Sequence, residues 1–266
     1  MGSNSRGGSR FSSPPQCKPE HRILWSSQAA EKGVNVARGL RGFFSHFGNE
    51  ERRTFAWRKK KVSMFHLLLA EVLLVQTKAE DVAVVWPQLV RKYPTPAALS
   101  GASIKSLVKL LRSLGLQNQR AKSLIKISRT LLRDFGGRVP RSIEALLSIP
   151  HIGLYTAAAV GCFAFGERLP IVDANVLRVL GRIHGIEPGS DLRRSHEIWS
   201  LAWALLPEKN CRDHNYGILD FASTVCTAKQ PLCESCRLNE LCTFYRRLSI
   251  ESPRDGSLKL RSCASS

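Results

Sequence analysis

Apolar residues recur at intervals of three and four along most of the chain, the spacing that puts them on one face of a helix. VARGLRGFFSHF, from Val36 to Phe47, shows it first, and the cationic connector RRTFAWRKKK follows at 52–61. Residues 65–93 predict two helices. LSGASIKSLVKLLRSLG at 99–115 and NQRAKSLIKISRTLLRDFGG at 118–137 predict two more, each closed by the glycine that suits a helix C-terminus. Further helices are predicted at 142–148, 154–165, 172–183, 195–206 and 215–224. No period-two run reaches strand length and no fixed-period repeat is visible, so the class is all-α with short loops.

Composition bounds the size and the partner. A chain of 266 residues with 43% hydrophobic content buries one or two ordinary cores. Residues 1–36 are rich in Ser, Gly, Pro and Arg and too poor in apolar side chains to bury, which predicts a disordered basic tail. Forty Lys and Arg against 21 Asp and Glu leave a formal charge of +19, which favours a polyanion such as DNA, RNA or an acidic membrane surface. Charge alone does not choose among these. No apolar run has the length of a membrane span and no secretory signal is present, so a cytoplasmic, nucleoid-associated protein is expected.

Cysteine placement is uneven. Cys17, Cys162, Cys211 and Cys263 are scattered and read as ordinary free thiols, whereas CTAKQPLCESCRLNELC packs Cys226, Cys233, Cys236 and Cys242 into seventeen residues. In a reducing compartment such a cluster suits metal ligation better than disulfides.

Three other positions carry candidate chemistry. In ALLSIPHIGLYTAAAVGCFAFG, Pro150 to Gly153 form a tight turn between two helical patterns, leaving unpaired amides that would hold a phosphate oxygen; a plain helix-turn-helix corner fits that turn equally well. Eighteen residues past Tyr155 comes Asp173, a good N-cap for NVLRVLGRI, and an ionised carboxylate at a helix mouth is also able to face an electron-poor sugar. Glu71 interrupts the apolar run LLLAEVLL. Burial there would raise its pKa toward that of a general acid, unless an arginine or a backbone amide satisfies it.

IPHIGLYTAAAV, then VDANVLRVLGRI, then C-x6-C-x2-C-x5-C together resemble the helix-hairpin-helix DNA glycosylase superfamily in its iron–sulfur branch, with endonuclease III and the adenine mismatch glycosylases. The resemblance covers about residues 37–246. It implies a [4Fe–4S] cluster on Cys226, Cys233, Cys236 and Cys242; a four-cysteine zinc site is the competing reading, although these intervals differ from the paired C-x2-C knuckles usual for zinc. It also implies a helical barrel over 58–167 that contains the hairpin, and a cluster domain built from 37–57 with 168–246. The active site then lies in the cleft between them, Lys229 and Arg237 bring the cluster loop to the phosphate backbone, and residues 247–266 form a second tail.

The site residues follow from the same resemblance. Gln76 matches the position that inserts into the stack when a nucleotide is flipped out, and Glu71 matches a pocket carboxylate. Tyr155 stands where endonuclease III carries the lysine that forms a Schiff base, which implies a monofunctional enzyme leaving an abasic site. Asp173 would stabilise the oxocarbenium-like state. Gly153 and His151 form the hairpin, with His151 replacing the first glycine of the usual L-P-G-x-G, at some cost in strain if a positive φ is needed.

GLQNQRA at 115–121, with Gln117, Gln119 and Arg120 toward DNA, resembles the loop of the thymine mismatch glycosylases more than that of the adenine enzymes. The chain ends 24 residues after Cys242, short of the further domain of adenine glycosylases. The expected substrate is therefore duplex DNA with thymine or uracil opposite guanine, bound by a monomer. Adenine opposite guanine or oxidised guanine is the runner-up, and a non-catalytic DNA-binding relative or a zinc-dependent basic regulator are the alternatives outside catalysis.

Overall fold

A computed structural model describes residues 27–186 and 196–251. Twelve α-helices and three short 3-10 turns account for their regular structure, and no strand occurs among the described residues, as the all-α expectation requires. Most of both predicted tails, the first residue of the helix expected at 195–206, and the thiols of Cys17 and Cys263 lie outside the described residues.

Local signals set most of the boundaries. The helix α1, Ser27–Glu50, starts nine residues before the pattern at Val36, because AAEK and its neighbours are good helix formers even without an apolar face; the last ten residues of the expected tail are thus helical. Ser63 opens α2, Met64–Leu74, by accepting from the His66 amide, and α3 spans Ala79–Lys92. The single helix predicted at 99–115 is broken in three. Thr95 caps α4, Pro96–Ser100, which stops at Gly101. Then α5, Ile104–Leu110, gives way to a 3-10 turn at Arg112–Leu114 that closes on Gly115 with φ of 70°.

The next helices follow the sequence more closely. α6 is Gln117–Phe135, and Gly136 ends it in the left-handed conformation. Next come α7, Ile143–Ser148, α8, Leu154–Phe165, α9, Ala174–His184, and α10, His196–Leu205. α11, Cys211–Thr224, starts four residues before its predicted position, and α12, Thr243–Glu251, carries order past the predicted boundary at 246.

These helices bury two apolar cores. One gathers Trp57, Leu68, Leu69, Leu89, Leu107, Leu124 and Val160 from the connector and α2 to α8. The other gathers Leu40, Phe44, Val179, Leu180, Ile198 and Phe221 from α1, α9, α10 and α11. Two glycines let α1 meet α11 backbone to backbone: a Cβ on Gly217 would stand 1.9 Å from the Phe44 carbonyl oxygen, and one on Gly48 1.8 Å from that of Asp213.

A buried ion pair ties the connector to α11. The Arg58 guanidinium donates to Asp220 Oδ2 at 2.6 Å and Oδ1 at 3.0 Å, and lies 4.2 Å above the Tyr216 ring. The Asp220 side chain is only 1% exposed, so its removal would strand an uncompensated cation. Asp220→Ala is expected to lower stability by about 3 to 5 kcal/mol, read as a shift of the urea midpoint; a change within error would mean that water reaches the guanidinium.

Candidate active site

The first turn of α8 follows the turn from Pro150 to Gly153. Gly153, the N-cap residue, is exposed with φ of −91°, and a Cβ added there would meet nothing within 4 Å. The turn therefore presents open space beside amides that have no carbonyl partner within the helix, the arrangement that accepts a phosphate oxygen. His151 adopts φ of 68° and is exposed. The backbone twist normally given to glycine is thus kept with a side chain that tolerates it, and the hairpin survives the substitution.

Strain of this kind recurs at two further tips. Gln76, just past α2, has φ of 56° and is exposed. Leu116, just before α6, has φ of 49° and is 58% exposed, an apolar side chain held in solvent at an unfavourable backbone angle. Leu116 was missed by sequence reasoning because a leucine between helical patterns looks like core; the glycine before it was the available signal.

Arg120 corrects the expectation of a DNA contact. It is 8% exposed, and its guanidinium donates to the carbonyls of Gly115, Leu73 and Val75 and, at 2.6 Å, to the Thr77 hydroxyl. Those bonds clamp the Gln76 turn to the Leu116 turn and leave the charge internal. Gln119, by contrast, is exposed and Gln117 half-buried at the start of α6.

Behind these tips, α2 and α8 bring Glu71 and Tyr155 together. The Tyr155 hydroxyl donates to Glu71 Oε2 at 3.5 Å. Glu71 is 1% exposed, and burial pushes its carboxyl up to about 7, against the pull of the Arg58 cation. Burial, then the neighbouring charges of Glu71 and Asp173, hold the Tyr155 phenol well above its usual range. The negative charge of Asp173 also raises Glu71, so the carboxylate at the mouth of α9 acts on the same pocket. Asp173 is half-buried and caps α9, accepting from the amides of Asn175 at 2.9 Å and Val176 at 2.8 Å and from Asn175 Nδ2 at 2.7 Å.

The helix that Asp173 caps reaches the cysteine loop at its other end. Arg178 donates to Asn175 Oδ1 and to the Cys226 carbonyl, and Arg182 donates to the carbonyls of Thr227 and Ala228 and to Cys226 Sγ at 3.4 Å. Two arginines one turn apart thus fasten the start of the loop to α9.

Cys226, Cys233, Cys236 and Cys242 line one cavity with Arg182, Leu238 and Phe244. The Leu238 amide donates to Cys236 Sγ at 3.4 Å. Burial, then the neighbouring Cys226 and Cys242 thiols, push Cys233 up to about 11. Among the described residues no three His, Cys, Asp or Glu side chains converge closely enough to hold one metal ion. Arg237 pairs with Glu51 and lies 5.2 Å over Phe43 yet stays exposed, as does Lys229.

The hairpin with its open amides, the buried acid bonded to Tyr155 and the capping carboxylate thus lie on neighbouring elements. Residues 69–202 match the family model described as HhH-GPD superfamily base excision DNA repair protein. The thymine/uracil-DNA glycosylase of Methanothermobacter thermautotrophicus is 38% identical over 206 residues, covering 76% of this chain and 91% of that one. The solved structure of a thermostable thymine-DNA glycosylase superposes with a TM-score of 0.73 at 35% identity, over 82% of this chain and 99% of that one. The adenine DNA glycosylase of Mycobacterium tuberculosis is 38% identical over 191 residues, 70% of this chain and 62% of that one. The chain belongs to the HhH-GPD superfamily, as a DNA glycosylase of base excision repair.

Proposed function

We propose that this glycosylase hydrolyses the N-glycosidic bond of thymine or uracil opposite guanine in duplex DNA, as a monomer, and leaves an abasic site. The observation that carries the reading is the Tyr155 hydroxyl against a buried Glu71 whose carboxyl burial pushes up to about 7, with the charge of Asp173 raising it further. A phenol forms no Schiff base, so the hairpin holds no group that would carry the reaction on to strand cleavage. Preference for pyrimidine over adenine is supported by 38% identity over 206 residues to a thymine/uracil enzyme and by the GLQNQRA loop.

In this reading the Gly153 and His151 hairpin holds a phosphate, Gln76 and Leu116 fill the space left by the flipped nucleotide, and Gln117 and Gln119 approach the duplex beside them. As the glycosidic bond lengthens, positive charge grows on the sugar and Asp173 stabilises it, while protonated Glu71 donates to the departing base. Tyr155 orients Glu71, and water completes the hydrolysis. The site joins a barrel domain, 58–167, to a second domain from 37–57 and 168–246; one core lies wholly in the second domain, while the other is mainly the barrel's and also takes in Phe55, Trp57, Ile171, Leu206, Cys211 and Tyr216.

The four loop thiols fit a [4Fe–4S] cluster. They share one cavity, and two of the sulfurs, those of Cys226 and Cys236, receive N–H donors. When bound, the cluster supplies a cross-link that orders residues 226–242 against α9.

Two readouts test the reaction type. Strand breaks at the mispair are expected only after alkali, and borohydride is expected to leave no protein–DNA adduct; efficient trapping would require an imine and would overturn the monofunctional reading.

A further inference from the structure

Two of the thiols that look scattered in the sequence meet inside the fold. Cys162 lies in the third turn of α8 and Cys211 is the first residue of α11, 49 residues later, yet their sulfurs are 3.5 Å apart. Both are buried, with no exposure at Cys162 and 6% at Cys211. Neither belongs to the pocket or to the cysteine loop. We propose that Cys162 and Cys211 are a reversible dithiol that closes to an intramolecular disulfide by exchange with a low-molecular-weight disulfide, tying the helix that carries Tyr155 to the helix that carries Asp220.

Distance makes closure feasible. A disulfide needs about 2.05 Å between sulfurs, so the pair must approach by about 1.5 Å from their separation of 3.5 Å. The surroundings give the two sulfurs different roles. Cys162 donates its S–H to Cys211, and the Asn215 side-chain amide, one turn into α11, donates to Cys162 Sγ at 3.2 Å. Cys211 sits at a helix N-terminus, where the helix dipole favours an anion. The Cys162 thiol as donor lowers the Cys211 pKa, while Cys162 is raised by that same bond and by burial. The more ionised sulfur is therefore the one that keeps some exposure, at the end of a helix where local opening is easiest.

The exchange balances without a further reactant. The Cys211 thiolate attacks one sulfur of the small disulfide and expels a thiolate, forming a mixed disulfide. Cys162 then loses its proton to solvent and its thiolate attacks Cys211 Sγ, expelling the second small thiolate. Two protein thiols become one disulfide, and the small disulfide is reduced to two thiols. An aromatic pair adjoins the contact: Phe163, next to Cys162, stacks at 3.9 Å on Tyr216, whose ring lies under Arg58.

The test uses the purified holoprotein incubated with 2-hydroxyethyl disulfide, quenched in acid, alkylated after denaturation and mapped by mass spectrometry. The expected product is one peptide pair joining Cys162 to Cys211, lighter by two hydrogens and restored by dithiothreitol, with a melting temperature raised by about 10 °C. In Cys162→Ala, and in Cys162→Ser if the alanine variant does not fold, Cys211 is expected to stop at the mixed disulfide. Recovery of both wild-type thiols in alkylated form at every disulfide concentration would overturn the proposal. So would a mixed disulfide that persists on wild-type Cys211, or a cross-link from either residue to the cysteine loop.

Discussion

Asp173→Asn is expected to lower the single-turnover rate of base release by about a thousandfold while leaving the fold intact. Asparagine caps a helix as well as aspartate does, so the bonds to the amides of Asn175 and Val176 survive in kind and α9 keeps its start. What the change removes is the negative charge, and a neutral amide does little for a cationic sugar. The prediction therefore separates two functions that coincide at one residue. Binding of mismatched duplex and the thermal midpoint should match wild type, and only the chemical step should slow. A variant that releases base at the wild-type rate would mean that Asp173 is a cap and nothing more.

Glu71→Gln is expected to slow base release by about a hundredfold to ten-thousandfold and to erase a pH dependence centred near neutrality. Burial raises the Glu71 carboxyl from its usual 4.5 to about 7, so the acid form is present below that pH and lost above it. Wild-type rates should fall as pH rises through 7, and rates of the glutamine variant should not. Stability carries the same signature with a definite sign. Between about 4.5 and 7 the folded protein holds a proton that the unfolded chain has released, so this group's contribution is full at acid pH and declines as pH rises toward 7. Glu71→Gln should therefore equal wild type near pH 4 and exceed it above pH 7, by about 3 kcal/mol if the whole shift is expressed. A variant less stable than wild type at pH 8 would show that the carboxylate is ionised and paired inside the fold.

Several of these features were legible before the fold was known. A carboxylate in the run LLLAEVLL has few explanations, and the structure buries it beside a tyrosine brought in from the hairpin helix. The hairpin, the Asp173 cap and the cysteine spacing are local in sequence, so their geometry follows from neighbours that can be read in order. What escaped depends on long-range contact. Nothing local distinguishes Arg120, bonded to the Leu73 and Val75 carbonyls and the Thr77 hydroxyl 43 to 47 residues away, from an exposed arginine of a DNA-binding loop. Leu116 reverses that error, being an apolar residue that the backbone turns outward. Arg237 reads as a free cation until Glu51, 186 residues earlier, is brought against it. Cys162 and Cys211 remained separate thiols for the same reason, since helices that pack side by side leave no period in the sequence. Element boundaries failed more mildly, where Gly101 and Ser103 outweighed an apolar spacing that runs on through them.

The most direct test of the account is single-turnover excision from end-labelled duplexes carrying G·T, G·U, G·A or oxidised-G·A, with alkali added afterwards to cut abasic sites. Cleavage at thymine and uracil opposite guanine, absent without alkali and lost in Asp173→Asn, is the predicted result. Cleavage confined to the adenine duplexes would transfer the pocket to the other substrate class, and strand scission without alkali would contradict the chemistry assigned to Tyr155, Glu71 and Asp173.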